Sequence, residues 1–532
     1  MEYKAQNLVI GGGIAGIVTA LELLDCGQSV VLVDSDRRER FGGLALWAFG
    51  GMALIDTPEQ RRMGVTDSPE IALEDWIRFG ELTADQKWPL AWAGCYAEES
   101  GTLVYEWLKS LGLKFMPAVN LVERGESIKG NSVARYHILW GTGRVLVETI
   151  IQRLLNHSNR ENLEVLHQHR ATRLLSANGV TTGCQGIDED TGQPFSVWAD
   201  NTIVATGGIN GSLEQVRKNW PPHWPEPPEQ ILNGASPLSD GTIHRAVAKS
   251  EGRLTNLQNM WNYAAGIPHP QAHFEGHGLS LIPTKSGLWL SPDGQPLGPA
   301  PMVTGFDTRQ LCKQVAEYPY TWQVLNWKIA IKELAISGSE HNLRILNHQL
   351  LMFLKETLFG NKRLVRQMLD ESPEFIAADN CSELAAKMNR LTNEDRIDGQ
   401  QLQTLVSAFD EALVDPSEFS HQPHIQRILE ARKWRTDRLR TCKLQAIGQK
   451  SAGPLIAIRL RFISRKSLGG IQTDLQGRVL STSGAPMPGL YAVGEAAGFG
   501  GGGASGKRSL EGTFLSACIL TARKTAAAIC HA

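Results

Sequence analysis

No CxxC pair occurs in the 532 residues, and the eight cysteines (Cys26, Cys95, Cys184, Cys312, Cys381, Cys442, Cys518 and Cys530) are scattered. That spacing provides neither a zinc site nor a disulfide framework, so reduced thiols are expected. No uninterrupted run of about 18 apolar residues is present, and no membrane span is expected. The amino terminus, Met-Glu-Tyr-Lys-Ala-Gln, lacks the basic start and apolar stretch of a signal peptide, which makes a cytoplasmic location the expectation. Blocks of like charge are missing too. Lysine and arginine total 53 against 55 acidic residues, a net charge of −2, so there is no basic footprint for nucleic acid.

What remains is a globular composition, 42% apolar and 20% charged, in a chain too long for one ordinary core. Two domains are expected, with room for a third. The 53 glycines gather in a few places, and the first is the most telling. A short strand, Gln6 to Ile10, runs into Gly11-Gly12-Gly13-Ile14-Ala15-Gly16. An apolar helix from Ile17 to Leu24 follows, stopped by Gly27, and a strand Ser29 to Val33 ends on Asp34. This is a complete βαβ unit, with an acid 18 residues beyond Gly16. Gly11 permits the tight turn, Gly13 a close approach of backbone to a pyrophosphate, and Gly16 close helix–strand packing. The helix N-terminus offers its N–H groups to phosphates, and Asp34 is placed to accept from a ribose diol. The spacing predicts a dinucleotide site.

Further along, helices are expected from Asp67-Ser68-Pro69 and over 103–111, and strands over 163–166, 171–175 and 202–205. From about 266 the composition changes. Residues 268–306 are rich in Pro, Gly and His, and helical patterns fill 322–336, 345–359, 382–388, 401–413 and 425–439. Strands resume at 469–471 and 490–493, followed by a last helix over 512–529. The α/β domain is therefore expected in two pieces, 1–265 and 451–532, around an inserted block at 266–450.

FAD rather than NAD is indicated by the Gly42-Gly43 and Gly50-Gly51 pairs after the acid. Two later strand ends add to it, Ala205-Thr206-Gly207-Gly208 and Tyr491-Ala492-Val493-Gly494-Glu495. Here the chain resembles the fumarate reductase/succinate dehydrogenase flavoprotein superfamily, which includes the ketosteroid dehydrogenases, and within it a bacterial branch of FAD-binding dehydrogenases. The resemblance covers nearly the whole chain. It is also carried by the segments Arg135 to Gly143, Gly305 to Arg309, Trp322 to Asn326 and Arg465 to Asp474. It implies an α/β, Rossmann-type FAD-binding domain in two chain segments with an inserted α+β capping domain. By the same resemblance Gly11, Gly13, Ile14, Ala15, Gly16 and Asp34 hold the adenosine and phosphates, with Ala171 on the adenine side. Leu44, Ala45, Gly50 and Gly51 lie along the flavin, and Gly43, Ala205, Thr206, Gly207 and Gly494 are further cofactor-binding positions. Asp240 and Glu495 match acids that approach the cofactor, and Thr513, Phe514 and Leu515 match contacts to the isoalloxazine. Members that attach FAD covalently use a histidine in the segment matching Leu44. None occurs between Gly42 and Met52, so bound FAD is expected to be releasable.

For catalysis, the resemblance to fumarate reductases implies Arg309 as a proton-passing arginine, Arg508 as a second substrate arginine and Gly512 as an amide donor. Lys466 stands where one of the family's histidines would be, and the other falls near Gly266 with His269 close by. The tyrosine that ketosteroid dehydrogenases carry after the Gly-Leu-Tyr-Ala strand has no counterpart in 499–513. The implied activity is hydride transfer between flavin N5 and a CH–CH or C=C bond next to a carbonyl or carboxylate. The partners implied are a small-molecule substrate and an external electron carrier, since no second GxGxxG is present for NAD(P)H. Two other readings share the same domain: an FAD oxidase or hydroxy/amino acid dehydrogenase, and a non-catalytic flavin-binding redox sensor. Direction of flux and oligomeric state are left open.

Overall fold

Short buried runs such as Asn7-Leu8-Val9-Ile10 and Val30-Val31-Leu32-Val33 suit only strands covered on both faces, and they form the middle of a parallel sheet. The computed structural model of the chain describes residues 1–531. It divides into two compact units: residues 1–222, 235–261 and 465–532, and residues 223–234 and 262–464.

In the first unit the sheet runs Arg478–Leu480, Pro486–Ala492, Pro194–Val204, Glu2–Ile10, Val30–Val33, Leu163–Leu166. The inner pairings are all parallel, with Leu8 opposite Val31 on one side and Thr202 on the other. An antiparallel pair, His169–Ala177 and Val180–Asp188, is added through Pro194–Val204. The helix Ile14–Asp25 packs beside the last helix, Thr513–Cys530. That last helix is long and apolar enough to cross a membrane by length and composition, but 67% of its window is buried in the protein. It is a core helix by that measure.

The packing of these two helices corrects the expectation of reduced cysteines throughout. Cys26 follows the end of one helix and Cys530 ends the other, and the two form a disulfide with Cα atoms 6.2 Å apart. A separation of 504 residues hides such a pair from any spacing rule. The other six cysteines are free and buried.

The second unit is built on a mixed sheet ordered Leu288–Leu290, Thr321–Asn326, Leu455–Ser467, Met260–Pro268, Gly278–Ile282, Ala335–Ile336. Leu232–Asn233 and Phe375–Ala378 also pair with the long strand Leu455–Ser467. The helix expected over 322–336 begins instead as a strand, Thr321–Asn326, buried at every position. A short, fully buried run cannot be assigned by periodicity, and here Thr321, Trp322 and Val324 decide for strand. Asn326 then caps a short helix, Trp327–Glu333, its Oδ1 accepting from the Ile329 amide at 3.0 Å. The expected helix over 103–111 is a π-helical turn, Gly101–Glu106, leading into Trp107–Ser110.

One buried charge network stands out in the first unit. Arg135, 2% exposed, donates to both oxygens of Asp67 (2.9 and 2.8 Å), to Asp75 at 2.7 Å and to Asn131 at 2.8 Å. Replacing the guanidinium would leave the buried Asp67 carboxylate without its ion-pair partner and Asp75 with Arg78 alone. Arg135→Gln is expected to lower unfolding stability by about 3–5 kcal/mol in chemical denaturation. A loss under about 1 kcal/mol would mean that water replaces the guanidinium there.

Candidate functional site

The turn after the first strand is packed too tightly for side chains. Gly11 has φ +112°, and a Cβ on it would stand 2.5 Å from the carbonyl oxygen of Ala205 at the neighbouring strand end. The Ala205 amide in turn donates to the Ile10 carbonyl at 2.8 Å. At Gly16 a Cβ would overlap the Gly11 carbonyl. Gly13 differs: a Cβ there meets no protein atom within 4 Å. It is also the N-cap of the helix Ile14–Asp25 and supplies no side-chain cap. The helix therefore begins without a side-chain cap and with open space beside Gly13, an arrangement that can receive a phosphate. Gly42 and Gly43 lie beside it, with the Gly42 amide on the Gly12 carbonyl at 2.8 Å.

Asp34 ends the second strand, 9% exposed, and its Oδ1 accepts from the Asp36 amide at 3.2 Å. Burial pushes its carboxyl up to about 6. Its main chain bonds Leu166 and His169 (2.8 and 2.9 Å), so Ala171 follows two residues along the same edge. Asp240 has partners within the protein: Arg170 donates to its Oδ2 at 2.5 Å, and its Oδ1 accepts from the Thr242 amide at 2.8 Å. The carboxylate expected to approach the cofactor is thus held in an ion pair at the start of a helix.

From Gly43 the chain follows the helix Thr142–Leu155. A Cβ on Gly50 would press on the Thr142–Gly143 backbone at 2.9 Å. The strand Gly51–Ala53 then pairs with Tyr136–Ile138, and Ala53 donates to the Gly512 carbonyl at 2.9 Å. Leu44, Ala45, Gly50, Gly51 and Gly512 are in this way strung along one continuous path. Tyr136 is wedged at its end, overlapping the position of a Cβ on Gly51 and 2.9 Å from one on Gly512. Its neighbour His137 is a satisfied core histidine. Nδ1 donates to the Arg135 carbonyl and Nε2 accepts from Thr57, both at 2.7 Å, and burial lowers its pKa to about 4.

At the start of the last helix the sequence-predicted residues converge. Lys466 Nζ lies 4.3 Å from the centre of the Phe514 ring. Burial, then the charge of Arg465, pushes this ammonium below its ordinary range, while Glu511 and Glu495 work the other way. Glu495 is pushed up by burial, and its Oε1 accepts from the Ser467 amide at 2.9 Å. Ser467 also receives the Ile209 amide at 2.8 Å, tying the Ala205-to-Gly208 strand end to this cluster. The Gly494 amide donates to Thr521 Oγ1 at 2.9 Å, and a Cβ on Gly494 would lie 2.7 Å from that of Ala15. Trp261 and Phe499 flank Phe514, ring centres 6.0 and 5.0 Å away, and Trp261 Nε1 donates to Glu511 at 2.7 Å.

Arg508 is buried, but its Nη1 donates to Glu81, a carboxylate shared with Lys507 at 2.7 Å. Burial works against it, yet the Lys507 hydrogen bond and the Arg508 charge hold Glu81 below the usual carboxylate range. Arg309 belongs to the second unit, on the helix Thr308–Val315, with its guanidinium 5.0 Å from the centre of the Trp224 ring. Glu81, Ser467 and Glu511 escaped sequence reasoning. Only Ser467 and Glu511 had a signal, as neighbours of Lys466 and Gly512.

The glycine cradle, the open helix N-terminus and the buried acid fit a dinucleotide, and comparison with known proteins agrees. The family model for the FAD binding domain matches residues 7–515. A KsdD-like steroid dehydrogenase of Mycobacterium tuberculosis is 38% identical over 540 residues, 98% of this chain and 94% of that protein. Among solved structures, a flavocytochrome c3 fumarate reductase in its open conformation aligns with a TM-score of 0.70 at 18% identity, covering 99% of this chain and 78% of the other. The 3-ketosteroid-Δ4-(5α)-dehydrogenase of Rhodococcus jostii RHA1 aligns with a TM-score of 0.65 at 18% identity, over 99% and 97%. The chain belongs to the FAD binding domain family, in the superfamily of fumarate reductase and ketosteroid dehydrogenase flavoproteins, and is an FAD-binding oxidoreductase.

Proposed function

We propose that this protein interconverts a CH–CH and a C=C bond next to the carbonyl of a bulky, apolar ring ketone, with Lys466 as the proton-handling group. The observation that carries this is Lys466 itself, set over Phe514 between Glu495 and Glu511. When bound, FAD supplies the hydride-exchanging ring. Gly11, Gly13, Gly16 and Asp34 hold its dinucleotide half, and Gly43 to Ala45, Gly50, Gly51 and Thr513 to Leu515 its ring half. An ammonium made less basic by burial gives up its proton more readily than an ordinary lysine, which suits protonation of a carbon or enolate oxygen. The aromatic side chains Trp261, Phe499 and Phe514 favour an apolar ring system, and the steroid dehydrogenase relative points the same way. In this reading the second unit, with Arg309, is the capping domain and gives the substrate its selectivity.

A dicarboxylate substrate is the second reading, and Arg508 weighs against it. A guanidinium already paired with Glu81 has less of its fork to offer a substrate carboxylate. Oxygen uptake during turnover would instead identify an oxidase. If no acceptor or donor changes the flavin spectrum, the sensor reading is favoured. Electrons are exchanged with an external carrier in either enzymatic reading.

Three outcomes are expected. Acid or heat should release FAD from the precipitated chain, since the Gly42–Met52 segment carries no histidine; flavin retained in the pellet would contradict this. Asp34→Ala should weaken FAD binding by about 1.5–3 kcal/mol in equilibrium titration of flavin-free protein. In the wild type a ribose hydroxyl favours the charged carboxylate, so binding lowers the pKa of Asp34 from about 6. Affinity should be full above that value and fall as pH drops through it, and a flat pH profile would remove Asp34 from the ribose. Lys466→Met should keep its FAD but slow flavin bleaching or reoxidation about 10²–10⁴-fold in stopped-flow with a ketosteroid panel. An unchanged rate would move the proton relay elsewhere.

A further inference from the structure

The antiparallel strands Met260–Pro268 and Gly278–Ile282 are joined by a loop carrying His269, His273 and His277. Gly278–Ile282 also pairs with Ala335–Ile336, Leu281 opposite Ile336, which brings the turn after that strand to the same edge. Asn342 pins this turn by donating to the carbonyls of Ile336 and Gly338 at 3.0 and 2.7 Å. The turn delivers Glu340 and His341 to the histidines. The loop, the turn and the side chains of the cluster all lie in the second unit.

Around Glu340 the imidazoles converge. His269 Nε2 is 2.7 Å from Oε1, His341 Nε2 is 3.6 Å from the same oxygen, and His273 Nε2 is 3.8 Å from Oε2. One ligand atom from each of His269, Glu340 and His341 falls within 4.8 Å of the others, the one such group among the described residues. The side chain of His341 is 9% exposed, and its Nε2 has no hydrogen-bond partner although it points at the carboxylate. A buried ring nitrogen without a hydrogen bond is costly, and an electrophile at that point would satisfy it. His269 is held from behind by a ring stack on His277, centres 4.4 Å apart and planes 6° from parallel.

We propose that His269, Glu340 and His341 form a binding site for a divalent cation of the zinc class, with His273 as the candidate fourth ligand. Two imidazoles and a carboxylate suit a borderline transition ion rather than magnesium or calcium, which prefer all-oxygen shells. Bonds of about 2.0–2.2 Å in a tetrahedron place ligand atoms roughly 3.4 Å apart, so loading opens the His269–Glu340 contact from 2.7 Å and leaves the 3.6 Å spacing of His341 and Glu340 nearly as it is. The proton bookkeeping is specific. The Gln271 amide donates to His269 Nδ1 at 3.0 Å, so Nε2 carries the ring proton that now reaches Glu340. A cation at Nε2 sends that proton to Nδ1, with no net release, and the Gln271 amide turns away. The bound ion cross-links the 269–277 loop to the 338–342 turn, and it leaves the flavin chemistry of the first unit as it is.

The test uses the full-length holoenzyme, stripped with chelator and titrated with Zn²⁺ by calorimetry and with Co²⁺ by visible absorption. One equivalent should bind with low-micromolar affinity or better and raise the melting temperature of the protein. His341→Ala and the near-isosteric Glu340→Gln should each weaken binding about 10–100-fold. The exposed His348→Ala should bind like the wild type. Circular dichroism confirms that each variant is folded. The proposal is overturned if folded wild-type protein binds neither ion at ~1 mM. It is equally overturned if both site variants bind as tightly as the wild type, which would make the cluster a hydrogen-bonded loop clamp only.

Discussion

Between the turn at Gly11 and the strand end at Ala205 there is no room for a side chain, and the whole cofactor half of the protein is arranged around that contact. It fixes the first strand against Pro194–Val204, sets the direction in which Ile14–Asp25 leaves the sheet, and leaves open space beside Gly13 at the start of that helix. The last helix packs on the same helix, and the disulfide from Cys26 to Cys530 joins their far ends. Phe514, on that last helix, is thereby held against the helix proposed to receive the phosphates.

Burial governs three of the charges in the first unit. It raises Asp34, raises Glu495 and lowers Lys466. Groups in this condition are poised to change protonation when a ligand adds or removes a hydrogen bond. Arg135, in contrast, is surrounded by enough carboxylate to remain a structural ion, and Arg508 leans on Glu81 in the same manner. Among these buried groups, Arg135 and Arg508 are paired with carboxylates, whereas Asp34, Glu495 and Lys466 are shifted by burial.

The βαβ unit was legible because its determinants are local. A glycine triplet, an apolar helix and an acid 18 residues on can be read within one window, and the structure puts each where that reading placed it. The two-part α/β architecture was legible from the return of strand patterns near the carboxyl terminus. Long-range partners were not. Nothing near Arg508 announces Glu81, nothing near Glu511 announces Trp261, and Cys26 gives no hint of Cys530. Local periodicity also failed where burial is complete, as at Thr321–Asn326, because a strand covered on both faces shows no alternation.

Gly13→Ala separates cofactor binding from folding more cleanly than any other change. The residue has φ −75° and ψ 179°, which alanine adopts freely, and its Cβ would touch no protein atom within 4 Å. It would enter only the space assigned to the pyrophosphate. Flavin-free wild type and variant should have the same melting temperature, and the variant should bind FAD at least about tenfold more weakly in fluorescence titration, a loss of ~1.4 kcal/mol or more. Equal FAD affinity in the two proteins would contradict the placement of the dinucleotide on this helix.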